Sequence, residues 1–316
     1  MAVTVLVLAL VGGTAAAFTI TESLKLERSP ITSKRDQEVF SPGCGCRTAE
    51  ARLSIRLRDG DRLDLDILAA GEPVRNLARD RAAKEGRVSI RWDGRNDAGE
   101  LVPDGAYQLR VHLQDADRTV VIPRRILVDT EPPDLEILGV DRPIFSPDDD
   151  GRRDSVGIGY RTSEDSLALA FVNGRLVVKG RLNKAGEAEV SWDGRVDGRP
   201  VRAGEYTVFV RVRDAAGNLS VPAQASVEVR YIELVQRVLV VQRGNRLRFR
   251  VLTDAERFSW TLRRAGGRVV DAHPRARPGL VSARVPVRLR TGRYVLEVVA
   301  NGHRDRAIVR VTGRRP

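Results

Sequence analysis

The chain has 316 residues, 42% hydrophobic and 30% charged, with 28 Gly and 15 Pro. That composition excludes a disordered tail, and the density of turn formers excludes a long helical bundle. The net charge of +12 is unevenly placed: residues 231–316 hold 20 basic and 6 acidic side chains, the rest 34 and 36.

Ala2 to Ile20 is apolar apart from three threonines and ends near the small residues Ala15-Ala16-Ala17. A run of this length reads as an export signal or an uncleaved membrane anchor, placing the protein in the cell envelope or outside it. No basic residue precedes the run, so a buried strand at the start of a cytosolic domain is the alternative. We assign residues 1–20 to this segment and 21–34 to a linker.

From residue 35 the pattern changes to period two. Leu53, Ile55 and Leu57 alternate with polar residues, as do Leu63, Leu65 and Ile67, and Tyr107, Leu109, Val111 and Leu113. Each stripe marks a strand with one face in a core and one in water. Ala69 to Glu85 is the one exception, where a short helix or a long loop is expected. Trp92-Asp93-Gly94-Arg95 places a turn directly after a strand. These features define a first domain, 35–130.

Glu131-Pro132-Pro133 forms a stiff extended joint, after which the first pattern returns. Phe40-Ser41-Pro42 recurs as Phe145-Ser146-Pro147, and the Trp92 segment as Trp192-Asp193-Gly194-Arg195. Gly105-Ala106-Tyr107 recurs as Gly204-Glu205-Tyr206. The second domain is therefore 132–229. A diverged third copy, 231–313, carries Trp260 and Gly292-Arg293-Tyr294. Trp92, Trp192 and Trp260 are expected in the cores, and Tyr107, Tyr206 and Tyr294 as structural tyrosines bonded to nearby turns. The fold class is all-β: tandem sandwiches following the amino-terminal apolar segment.

The Trp-Asp-Gly-Arg turn followed by Gly-x-Tyr at a strand start resembles the immunoglobulin-like (Ig-like) domain of flagellar hook-capping proteins. The same module recurs in secreted bacterial surface proteins. The resemblance implies Ig-like sandwiches that serve as spacers or attachment domains without catalysis.

Asp148-Asp149-Asp150-Gly151-Arg152-Arg153-Asp154 resembles the first half of a calcium loop. Asp148, Asp150 and Asp154, with Asp141 from the preceding turn, are the candidate calcium ligands. A solvated turn capped by its own aspartates is the competing reading, and no cofactor is required by the sequence. Domain one has Cys44 and Cys46 at the corresponding place, the only cysteines. A local disulfide, free thiols and a bond or metal shared with another chain are all open to this pair.

His112, His273 and His303 form no metal or catalytic motif. His112 is expected on a strand, the other two in polar turns. No nucleophile elbow or phosphate loop occurs. A hydrolase is accordingly set aside. Nucleic-acid binding is disfavoured because the basic third has few aromatics free to stack. The sequence points to a non-catalytic envelope protein of structural or adhesive type. Its basic carboxy-terminal domain would meet an anionic polymer or envelope protein. A passive spacer or assembly scaffold is the alternative, and no oligomeric state is implied.

Overall fold

The computed structural model describes residues 29–33, 39–264, 267 and 269–313, and among these residues it contains strands and no helix. The apolar segment 1–20 and residues 21–28 and 34 of the linker lie outside the described residues, while Ile31–Ser33 of the linker form a short strand. Among the described residues no helix is long and apolar enough to cross a membrane. Two compact units are present: Met1–Glu131 with Ala215–Gly217, and Pro132–Asp214 with Asn218–Pro316.

The first unit contains one sandwich. Its strands are β1 (Ile31–Ser33), β2 (Val39–Phe40), β3 (Ala51–Leu57), β4 (Asp61–Ala69), β5 (Glu72–Ala83), β6 (Gly86–Trp92), β7 (Gly105–Leu113) and β8 (Arg118–Val128). They form a three-stranded sheet, β1-β3-β6, and a five-stranded sheet, β2-β8-β7-β4-β5. The short β2 joins the larger sheet in parallel with β8, while the other pairs are antiparallel. On β7 the alternation is direct: Tyr107, Leu109, Val111 and Leu113 are buried, and the residues between them are partly exposed. Each such side chain contributes roughly 1.5–3 kcal/mol of hydrophobic stabilisation.

The second unit contains two sandwiches. The first comprises β9 (Leu135–Val140), β10 (Ile144–Phe145), β11 (Val156–Thr162), β12 (Ser166–Val172), β13 (Arg175–Asn183), β14 (Gly186–Trp192), the small hairpin β15 (Arg195–Val196) and β16 (Arg199–Pro200), β17 (Gly204–Arg213) and β18 (Ala223–Val229). The second comprises β19 (Glu233–Leu234), β20 (Val238–Gln242), β21 (Arg246–Leu252), β22 (Phe258–Arg264), β23 (Val269–Ala276), β24 (Gly279–Arg284), β25 (Gly292–Ala300) and β26 (His303–Thr312). Both repeat the plan of the first unit, with three-stranded sheets β9-β11-β14 and β19-β21-β24. Their larger sheets are β10-β18-β17-β12-β13 and β20-β26-β25-β22-β23. Each of the three sandwiches encloses its own apolar cluster.

The repeated motifs are halves of one packing device. Phe40, Trp92 and Tyr107 stack edge to face, with centroids 5.4 and 5.0 Å apart. Phe145, Trp192 and Tyr206 do the same at 5.5 and 5.8 Å. The buried indoles donate to the Arg95 and Arg195 carbonyls, both at 2.9 Å. Tyr107, Tyr206 and Tyr294 each donate to the carbonyl four residues earlier, at 2.7, 2.9 and 2.7 Å. Gly94 and Gly194 hold φ of +73° and +68°, and a Cβ there would come within 2.9 Å of Pro42 and 2.4 Å of Pro147. Glycine is thus required both by the backbone and by the proline packed on it. Trp260 is buried against Phe249, but its indole N–H has no acceptor among the described residues.

The expectation for Ala69–Glu85 is corrected. The segment is the turn of a β-hairpin and the edge strand β5. Its pairing with β4 shifts register at three places, so the period-two signal is lost. Val74, Leu77 and Ala78 still reach the core, and their spacing mimics a helical stripe. His273 and His303 likewise stand on β23 and β26 rather than in turns.

Candidate functional site

The acidic loop after β10 sorts its carboxylates into two kinds. Asp154 accepts backbone N–H groups of Asp148, Asp149 and Gly151 at 3.2, 2.8 and 2.7 Å. Asp141 accepts the Gly157 amide at 2.8 Å and pairs with Arg142 at 2.7 Å. These two carboxylates hold the loop and its base in shape. Asp149, at φ +62°, turns outward to Arg195 at 2.6 Å.

Asp148 and Asp150 are left to face the last sandwich. There they meet Asp254, from the turn after β21, with one oxygen of each within 4.8 Å of the others. The Asn301 amide donates to Asp148 and Asp150 at 3.0 and 2.9 Å. Oδ1 of Asp148 and both carboxylate oxygens of Asp254 are buried and make no hydrogen bond of ordinary geometry with a described residue. Burial pushes the Asp148 and Asp254 carboxyls up from the ordinary aspartate value, and neighbouring carboxylates push in the same direction. Of the four aspartates singled out by sequence, the structure groups Asp148 and Asp150, and leaves Asp141 and Asp154 as loop braces. Asp254 carries no motif, because only the tertiary fold brings it to this loop.

Beside the cluster, Tyr231 stacks flat on His303 with centroids 3.6 Å apart. Its hydroxyl donates to the Val201 carbonyl at 2.6 Å, and burial raises its phenol to about 12. Burial also lowers His303 from the ordinary histidine value. Both groups are therefore neutral at physiological pH, and the stack is an apolar contact.

The second feature is the outer face of β21 and β24. Arg246, Arg248 and Arg250 alternate with the buried Leu247, Phe249 and Val251. Antiparallel pairing sets Arg284 opposite Arg246, Ser282 opposite Arg248 and Leu280 opposite Arg250. All six are exposed, and none of the four arginines forms an ion pair with a described residue. On the larger sheet of the same sandwich, Arg306 pairs with Glu297 at 2.6 Å, and Arg237, just before β20, pairs with Asp305 at 2.7 Å, whereas Arg293 stands opposite Arg310 with no ion pair to a described residue. Like charges directly opposite on a sheet are destabilising. Arginine guanidinium matches carboxylate or phosphate by two parallel hydrogen bonds.

In the first unit Cys44 and Cys46 are joined by a disulfide, with Cα atoms 5.2 Å apart. The Thr48 hydroxyl lies 2.9 Å from the Cys46 sulfur. Neither sulfur is a thiolate ligand in this state. His112 lies on β7, bonded to Thr119 at 3.0 Å.

No relative was found among the curated proteins. The chain is similar to the fibronectin(III)-like modules of Clostridium thermocellum CbhA, at 15% identity and TM-score 0.35, over 63% of this chain and 94% of that one. It is similar to the I9–I11 tandem of titin, at 13% identity and TM-score 0.35, over 90% and 99%. It is also similar to the Bacteroides ovatus glucan-locus protein SGBP-B, at 14% identity and TM-score 0.21, over 91% and 71%. Residues 50–117 match the FlgD Ig-like domain, and the strand plan around them occurs three times among the described residues: the chain is a tandem array of Ig-like sandwiches.

Proposed function

We propose that this is a non-catalytic structural or adhesive protein of the cell envelope whose basic last sandwich contacts an anionic envelope polymer. The observation that carries the reading is the exposed set Arg246, Arg248, Arg250 and Arg284, none of which forms an ion pair with a described residue. The apolar run at 2–20 supports export or anchoring. The test is cosedimentation of the full chain with isolated cell envelopes. The variant carrying Arg→Gln at those four positions should lose most binding, and the wild-type protein should be released by salt. Binding that survives both changes would leave the spacer reading in its place.

The same reading includes a divalent cation, calcium by donor chemistry, on Asp148, Asp150 and Asp254. Hard carboxylate oxygens suit calcium, and the oxygens that make no ordinary hydrogen bond with a described residue are the feature a cation would satisfy. Affinity in the roughly millimolar range of extracellular modules is expected. Calcium should then raise the melting temperature of the wild-type protein and leave that of Asp254→Asn unchanged. An equal response in both would remove Asp254 from the site.

A further inference from the structure

The arginine face has a counterpart that the overall charge conceals. In the first sandwich, the outer face of β3 and β6 sets Arg52 opposite Arg91 and Arg56 opposite Arg87, with Ser54 and Ser89 between them. All four arginines are exposed, and none forms an ion pair with a described residue. Two like-charged pairs therefore sit directly across the strands, an arrangement that costs stability.

The middle sandwich supplies the internal comparison. At the same place, on β11 and β14, Arg161 is held by Glu136 and Glu187, both at 2.7 Å. Glu189 lies over Gly157, close enough that a Cβ there would meet its carboxylate at 2.6 Å. A general excess of arginine in the composition would fill all three faces alike. Instead, one and the same sheet face is cationic in two sandwiches and acidic in the third.

We propose that the outer face of the three-stranded sheet is a polyanion-docking surface in the first sandwich as well as the last. This rests on the polymer-contact reading above and extends it to a region whose summed charge is near zero. The occupant is a linear polymer bearing an acid group on each repeat. Alternate residues on a strand lie about 7 Å apart and opposed residues about 5 Å apart, so the guanidinium groups present an extended charge array. Neither face carries an aromatic ring, so stacking of nucleic-acid bases has no platform. Arginine binds phosphodiester and carboxylate chains through the same forked contacts.

The experiment measures binding of the full-length protein to inorganic polyphosphate, poly-glutamate and single-stranded DNA across a salt series. Three variants are compared, each confirmed folded by circular dichroism. One carries Arg52, Arg56, Arg87 and Arg91→Gln. One carries Arg246, Arg248, Arg250 and Arg284→Gln. The control removes the same charge from the middle sandwich through Lys179, Arg181, Arg199 and Arg202→Gln. Each face variant should lose about tenfold or more in affinity for the ring-free polymers, and its log–log salt slope should fall by about 3. The control should stay within about twofold of wild type, where a diffuse charge effect would give all variants one response. Preference for polyphosphate or for poly-glutamate then identifies phosphate or carboxylate as the partner's acid.

A first-face variant that behaves like the control, while the last-face variant fails, overturns this inference and leaves the polymer-contact reading intact. Equal losses in all three variants overturn it in favour of diffuse charge. DNA binding about tenfold tighter than either ring-free polymer overturns the assigned occupant. Failure of the wild-type protein to bind any of the polyanions at low salt overturns both proposals.

Discussion

Single residues explain why the repeated motifs look as they do. Gly194 combines a left-handed backbone with a proline ring packed where its side chain would be. Gly194→Ala should therefore destabilise the protein by about 3 kcal/mol in denaturant titration, combining backbone strain with overpacking. Gly198, also at positive φ but with open space around it, should lose only about 1 kcal/mol when changed to Ala. Asp254 makes the opposite case, a residue that costs stability. Its carboxyl is raised in the fold, so the charged form is disfavoured at pH above the folded value and relieved as acid protonates it. Asp254→Asn should stabilise the metal-free protein at pH 7 by about 1–3 kcal/mol, with the gain shrinking as pH falls through the raised value. A gain that persists unchanged at low pH would show that charge burial is not the cause.

Elements were legible where the pleat is regular. The stripe at Tyr107–Leu113 is a strand because each buried residue is followed by one that is partly exposed, and Leu53–Leu57 keeps the same apolar alternation although Ser54 is buried as well. The Phe-Ser-Pro and Trp-Asp-Gly motifs were visible as repeats, but their mutual packing was not, since some 50 residues separate them. β5 was hidden by bulges, which break the alternation on which strand recognition depends. Asp254 was hidden for a different reason: its partners come from another sandwich. At this scale the arginine face makes a prediction in two directions. Arg284→Glu places an opposite charge beside Arg246 and should raise stability by about 0.5 kcal/mol. It should also weaken attachment to envelopes, because the face loses its uniform sign. A variant that is both less stable and equally adhesive would show that the face is not arranged for anions.

At the scale of the whole molecule, charge was legible as a sum and misleading as a map. The 86 residues from Tyr231 onward hold the net excess, which falls on the last sandwich. The first 230 residues sum to near zero because acidic and basic faces cancel, not because each face is neutral. Folding separates the charges that the linear count combines. Among the described residues, the tandem Ig-like plan presents its charged groups on sheet faces and in the loops at the sandwich ends. Recognition through faces suits a polymer, which can make several weak contacts along its length.

The most direct measurement of the central claim is the salt dependence of full-length protein binding to isolated envelopes, wild type against the variant lacking Arg246, Arg248, Arg250 and Arg284. The account predicts steep, salt-sensitive binding by the wild type and a slope lower by about 3 in the variant. Coincident curves for the two proteins would contradict it, and would place attachment on a surface other than the arginine face.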